Sequence, residues 1–369
     1  MNMKNPFKYG MVVTGEDFVD RKEEIEILKK NLLSGQSIIL YSSRRLGKTS
    51  LMKQTMCLLP KTVIPIYIDL FGITSKKVLV KKMINKLMIN TYPKVAMLRN
   101  MVQKLLSKIT IKIVIVKDDI ELEIKSGEDI SFEELEEVFD LSEKIAEKKG
   151  KQLIVMFDEF QDIADLEEKG IEKIMRSKFQ HHKNVSYLFA GSKISMMHTL
   201  FNDSTRAFYK FGKAIHIENI PKKEFESFII TKFEKTGKKI DTQTVEKILI
   251  FTEGHPYFTQ KLCQQIWYDA FKIVDENIMI NAIQKIVRSE SDFYEQIWSS
   301  LTIAQRRLLV GLAIEPRANK YMQSFINQFD LKTAAHVKRA FGSLEKKRVI
   351  EKGKITDIFF VEWIKTSMA

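Results

Sequence analysis

The 369-residue sequence is poor in the residue types that build disulfide scaffolds and protein-ligated metal centres. Its two cysteines, Cys57 and Cys263, are far apart and have no C-x-x-C partner, which excludes a disulfide framework and a cysteine zinc site and fits a reducing, cytoplasmic setting. The six histidines are dispersed, and the adjacent His181 and His182 have no acid or cysteine at ligand spacing, so they read as ordinary surface or core residues. No apolar run approaches the roughly 20 residues needed to cross a bilayer. The opening residues MNMKNPFKYG lack the apolar core of a signal peptide, and no membrane partner is expected. Internal repeats and low-complexity linkers are also missing.

What is present is a core-forming chain. A hydrophobic content of 44% against 29% charged residues describes a globular protein, and the length suggests two or three domains. The formal charge of +13 would attract polyanions. Most of the excess is lysine scattered along predicted helices, so net charge alone does not indicate nucleic acid.

The most informative stretch is SIILYSSRRLGKTSL, residues 37–51. A short apolar run, 38–41, predicts a buried strand, and a helix is expected over 50–58. The polar loop between them holds Ser43, Arg44, Arg45, Leu46, Gly47, Lys48, Thr49 and Ser50. Strand, loop and helix in this order make a phosphate cradle, in which backbone N–H groups and the helix N-terminus face the anion. Lys48 would reach the β- and γ-phosphates of ATP, and the Thr49 hydroxyl would ligate Mg²⁺. Ser42 stands where the G-x-x-x-x-G-K-[ST] pattern has its first glycine, and a side chain there is expected to strain or reshape the loop. A second apolar run, 152–157, leads into Asp158-Glu159-Phe160-Gln161. At the C-terminal end of a parallel strand, Asp158 would hold the Mg²⁺ shell and Glu159 would polarise a water.

Further strands are expected over 62–70, 185–190 and 214–220, alternating with helices over 22–33, 75–107 with a break near Pro93, and 132–149. This alternation predicts a parallel sheet with helices on both faces. Pro65 cannot donate to a ladder, which puts its strand at or near an edge. The period-2 run 109–125 predicts a β-hairpin around Asp118-Asp119, packed on the main domain or on another subunit. Phe18 and Val19, just before the first helix, are well placed to cover the adenine base; they also read as core, and the two roles do not exclude each other. Ser192, after the 185–190 strand, either contacts the γ-phosphate or attacking water or marks a plain strand-to-helix turn.

From Pro221 onward the pattern is helical, with no strand expected before the C-terminus. Helices are predicted over 222–233, 242–252, 257–274, 302–312, 321–329 and 332–346, and from 281 onward. Strands at 349–351 and 355–360 about Gly353 complete a winged helix-turn-helix, a motif that binds DNA or protein. Lys332, Lys338, Arg339, Lys346, Lys347, Arg348, Lys352 and Lys354 would supply phosphate contacts, with Phe341 and Leu344 in the core.

Phe18-Val19-Asp20-Arg21, Arg44 to Thr49, Asp158 to Gln161, Gly191-Ser192-Lys193, Arg206-Ala207-Phe208-Tyr209 and Gly254-His255-Pro256-Tyr257 occur in the order seen in the archaeal-type P-loop ATPases. The chain resembles that family, which lies near the STAND branch of the AAA+ ATPases. The resemblance implies an α/β P-loop NTPase domain of AAA+ type over 1–220 with the hairpin inserted at about 109–126, a helical lid over 221–290 and a winged-helix domain over 291–369. It implies Walker A roles for Lys48 and Thr49, Walker B roles for Asp158 and Glu159, and a sensor role for Ser192. His255 and Pro256 match the lid motif that closes on nucleotide. Arg206 is the candidate γ-phosphate-sensing arginine, in cis or across a subunit interface. Ser42 departs from the pattern, as does Ala207, where the family often has proline.

The expectation is therefore a Mg²⁺-dependent ATPase acting as a molecular switch. The alternatives are a DNA-binding winged-helix protein with a regulatory ATP site and a scaffold forming a nucleotide-dependent homo-oligomer.

Overall fold

A computed structural model describes residues 4–19, 21–116, 119–124, 130–166 and 170–368. Asp20, Asp118 and Lys125, which entered the sequence reading, lie outside the described residues. Residues 10–219 form one compact unit, and residues 4–9 with 220–368 form another. Residues 4–9, expected in the P-loop domain, pack instead in the second unit.

The first unit starts with helix α1 (Lys22–Leu33), which buries Ile25, Leu28 and Leu32 at helical spacing. Strand β1 (Ile38–Tyr41), helix α2 (Lys48–Cys57), strand β2 (Val63–Asp69) and helices α3 (Lys76–Thr91) and α4 (Val95–Leu105) follow. Then come strands β3 (Ile111–Val116) and β4 (Asp119–Ile124), helix α5 (Phe132–Lys149), strand β5 (Gln152–Asp158), helix α6 (Ile171–Phe179), strand β6 (Val185–Gly191), helix α7 (Ile194–Asn202) and strand β7 (Lys213–His216).

Five strands pair in parallel in the order β2-β5-β6-β1-β7. β5 and β6 are covered on both faces, which is why they read as unbroken apolar runs. Pro65 sits in the edge strand β2, where the missing N–H leaves no ladder bond unmade. Alternation along β1 sends Ile39 to one core layer and Ile38 and Leu40 to the other. β7 is shorter than expected because β1, its partner, ends at Tyr41; the Ile217 N–H makes the final bond to the Tyr41 carbonyl. β3 and β4 form an antiparallel hairpin of their own. Its Leu122 backbone is bonded in both directions by the Asn85 side chain of α3, so the hairpin is docked on the main domain. Asp119, expected in the turn, is within β4 opposite Val116.

In the second unit, α8 (Lys222–Glu234), β8 (Lys239–Ile240), α9 (Thr242–Thr252), α10 (Pro256–Asp269), β9 (Ile273–Val274), α11 (Glu276–Ser289) and α12 (Ser291–Ser299) precede the winged helix. The winged helix comprises α13 (Ile303–Ile314), α14 (Gln323–Gln328), α15 (Ala334–Lys346), β10 (Ile350–Glu351), β11 (Lys354–Ile355) and α16 (Ile358–Ser367). Phe7 packs on Phe233, and Gln264 of α10 donates to the Phe7 carbonyl, fixing residues 4–9 here.

Four expectations are corrected in this unit. Strands do not vanish after Pro221: β8 and β9 form a two-residue parallel pair, and the helix expected over 257–274 stops at Asp269, where Ala270 turns extended to reach it. The second wing strand ends at Ile355 rather than 360. Asp357 accepts the N–H groups of Phe359 and Phe360 and starts α16, whose Phe359, Phe360, Trp363 and Ile364 repeat at helical spacing and are buried. Phe341 is half-buried rather than core, with the Lys320 ammonium 4.0 Å above its ring. No helix among the described residues is long and apolar enough to cross a membrane.

Candidate nucleotide site

The loop between β1 and α2 is set by two left-handed residues, Arg45 (φ 62°) and Gly47 (φ 85°), the second being the N-cap of α2. Ser42 is not one of them. It is buried, its hydroxyl donates to the Ser43 carbonyl at 3.0 Å, and its N–H faces the Gly191 carbonyl at 3.4 Å. The backbone here makes no demand that only glycine meets, so the expected strain is absent. The N-cap Gly47 has no side chain to bond the first N–H groups of α2, so the helix start carries no cap hydrogen bond from its own N-cap.

Neighbouring segments brace this loop. Arg21, 3% exposed, donates one guanidinium nitrogen to the carbonyls of Leu46 (3.1 Å) and Glu218 (2.9 Å) and pairs with Glu24. That clamp was not assigned from sequence, although Arg21 belongs to one of the motifs singled out. Ser50 uses its hydroxyl to accept the Val13 N–H at 3.1 Å, so its side chain serves the N-terminal segment. Val19 is buried, and Phe18 packs against the core beneath α1 and α2. Ser43 is half-buried, Arg44 and Arg45 are exposed, and Leu46 is buried.

Asp158 ends β5 and is 2% exposed. One oxygen accepts from Lys48 Nζ at 3.0 Å and from the Glu159 N–H at 3.0 Å; the other accepts from the Thr49 hydroxyl at 2.6 Å and the Tyr67 hydroxyl at 3.0 Å. Burial pushes this carboxyl up, but Lys48 and the bonds from Thr49 and Tyr67 outweigh it and hold it below the usual carboxylate range. Burial and the adjacent Asp158 push the Tyr67 hydroxyl well up, so it stays a donor. Sequence gave no hint of Tyr67 beyond its place in the strand beside β5.

Glu159 has a left-handed backbone (φ 51°, ψ 42°). Its carboxylate receives Lys48 Nζ at 3.3 Å, Gln161 Nε2 at 2.6 Å and the Ser192 hydroxyl at 2.7 Å. Lys48, Thr49, Asp158, Glu159 and Ser192, named separately from the sequence, thus meet in one cluster. Arg206 does not join it: its guanidinium is engaged by Glu172 of α6. His255 and Pro256 open α10 in the other unit, where the His255 ring packs on Phe258. His182 is half-buried, its ring bonded to Tyr187 and Asp140.

The donor set suits a hard cation. The Thr49 hydroxyl and the Asp158 carboxylate, 2.6 Å apart, are oxygen donors of the kind that Mg²⁺ takes. A sequence model of an ATPase domain predominantly from Archaea matches residues 18–262. The chain belongs to this family. In this archaeal-type ATPase, a second model, of a winged helix domain, matches residues 292–366. Among solved structures, a Walker-type ATPase of Pyrococcus abyssi superposes with a TM-score of 0.67 at 17% identity, covering 98% of this chain and 99% of that one. The Aeropyrum pernix ORC2 protein in ADPNP–ADP complexes gives 0.56 at 13% identity, with 98% of each chain covered. The ORC1 protein of the same organism, in complex with DNA, gives 0.50 at 12%, covering 94% of this chain and 92% of that one. At these identities the likeness is one of fold. The comparison with curated proteins gave no match.

Proposed function

We propose that this archaeal-type ATPase binds ATP with Mg²⁺ at the 42–49 loop and hydrolyses it, acting as a nucleotide-driven switch of the AAA+/STAND kind. The observation that carries the reading is the convergence of Lys48, Thr49, Asp158, Glu159 and Ser192 beside an uncapped helix start. In this reading the Lys48 ammonium moves from the two carboxylates to the phosphates of the nucleotide. The carboxylate of Glu159 accepts a hydrogen bond from the attacking water and orients it, while Ser192 steadies that carboxylate. Thr49 and Asp158 are the protein-side oxygens for Mg²⁺, which when bound neutralises phosphate charge. The sixfold set of donors on Asp158 and Glu159 gives the Lys48 exchange a defined starting state. His255 and Pro256 are the lid residues, and Arg206, which pairs with Glu172 in this structure, would have to leave that pair to sense the γ-phosphate, in cis or across a subunit interface.

The test is phosphate release by wild type, Lys48→Ala and Glu159→Gln. A loss on the order of 10²–10³-fold in both variants is expected; turnover equal to wild type in Lys48→Ala would sink the reading.

A second reading, duplex DNA on the winged helix, is favoured by α15. Lys338, Arg339 and Lys346 are exposed while Val337, Ala340 and Leu344 are buried, so the cations share the solvent side. Lys347 and Lys354 contribute less, being tied to the Ser300 carbonyl and to Glu253. Affinity for a duplex that falls steeply with salt and weakens in Arg339→Glu is expected. Absence of binding at low salt would remove this reading.

A further inference from the structure

Gln161 is 1% exposed and lies between the carboxylates of Glu159 and Asp162. Its amide nitrogen donates to Glu159 Oε2 at 2.6 Å and to Asp162 Oδ1 at 2.9 Å, and its amide oxygen accepts the Ser192 N–H at 3.2 Å. Flipping the amide would set its oxygen against two carboxylates and its NH₂ against an N–H. The neighbours therefore admit one orientation.

The room for this amide is built in. A Cβ on Gly191 would lie 2.5 Å from the Gln161 oxygen and would also strike Met197, so the last residue of β6 has to be glycine for Gln161 to sit there. Far from being loose, the amide is anchored at its outer end as well: Asp162 accepts the Gly72 N–H at 3.2 Å and pairs with Lys193 at 3.3 Å. Glu159, meanwhile, holds a left-handed backbone that a non-glycine residue keeps only where its surroundings over-determine it.

We propose that Gln161 is the positioning residue of Glu159, holding its carboxylate against Ser192 in the geometry needed to orient water; this rests on the ATPase reading above. Gln161 touches no substrate. It acts through one hydrogen bond to Glu159 and one from Ser192, which locks the putting-in-place of the base to the tips of β5 and β6.

The test uses the full chain as wild type, Gln161→Met and Gln161→Glu, with thermal unfolding recorded for each. The first variant keeps length and volume without the donors, and the second keeps the shape but turns both donors into a repelling carboxylate. In each folded variant kcat is expected to fall on the order of 10–100-fold, with KM for ATP changed less than about threefold. An unchanged kcat overturns the proposal, as does a change confined to KM. A crystal structure of whichever variant folds supplies a readout independent of turnover: Glu159 is expected to leave the left-handed region and shift its carboxylate by about 1 Å or more. A Glu159 that stays in place overturns the proposal. Wild type that releases no phosphate defeats the ATPase reading alone, and the position of Glu159 then decides the role of Gln161.

Discussion

Two buried lysines with carboxylate and tyrosine partners can be set side by side. Lys48, 7% exposed, meets Asp158 and Glu159, and the Tyr67 hydroxyl donates to Asp158. Lys261, 6% exposed, pairs with Glu290, and the Tyr294 hydroxyl donates to Glu290 at 2.6 Å beside Asp357. The residue types are nearly the same and the surroundings are not. Asp357 spends its Oδ1 capping α16 and is walled by Phe360 and Trp363 through Tyr294, so the nearby helix start is closed. Asp158 faces α2, whose start has no side-chain cap. A buried ion pair next to a capped helix holds two helices together, whereas the same pair next to an open helix start leaves donors for an anion.

The sharpest way to break this comparison is to remove each lysine. Lys261→Ala leaves Glu290 and Asp357 without their cation, and because Glu290 is 31% exposed the loss in unfolding free energy expected from urea titration lies at the low end of the roughly 3–5 kcal/mol of a fully buried pair. Lys48→Ala should cost less in the same titration, because Asp158 keeps Thr49, Tyr67 and the Glu159 N–H as donors. A larger loss at Lys48 would mean that its pair is the structural one.

The second contrast is in pH. Asp158 is held below the usual carboxylate range, so its contribution to stability is present above the unfolded value of about 3.9 and is lost as pH falls through the folded value. Burial pushes Asp357 up, reinforced by Glu290 and only partly opposed by its backbone bonds and Lys261. Its ionisation therefore costs stability as pH rises from about 3.9 through its folded value. Unfolding measured between pH 3 and 8, as rough limits of the carboxylate range and neutrality, should show Asp158→Asn flattening the acid-side loss. Asp357→Asn, which keeps the cap oxygen, should gain stability relative to wild type towards neutral pH. Slopes of the same sign for both variants would erase the distinction.

The smallest effect is expected at the tyrosines. Tyr67→Phe removes one of two bonds to one oxygen of Asp158 and should cost about 1.5 kcal/mol by urea titration. A cost near zero would show that Thr49 alone satisfies that oxygen.

The elements that could be read from the sequence are those whose signal is local. α5 has the expected bounds because the Ser131–Glu134 capping box and Gly150 close its ends within a few residues. The wing misled because Ile355-Thr356-Asp357-Ile358-Phe359-Phe360, rich in β-branched and aromatic residues after Gly353, has a strand-like composition, whereas Asp357 accepts the Phe359 and Phe360 N–H groups and starts a helix. β8 and β9 were illegible for another reason: each is two residues long, and they meet across α9 and α10.

The same division runs through the site. Its chemical residues sit in short motifs, so the sequence alone determined that a phosphate loop with Lys48 and Thr49 and a strand ending in Asp158 and Glu159 belong to an archaeal-type ATPase. Tertiary structure decided which other side chains serve them. Tyr67, Gln161 and Arg21 reach the cluster or its loop from three different segments, and Arg206 is drawn to Glu172 instead. Phosphate loops are written in consecutive residues because backbone N–H groups do the binding. The orientation of a buried carboxylate is set by whatever donors the packed sheet brings within hydrogen-bond reach, and no local pattern encodes that.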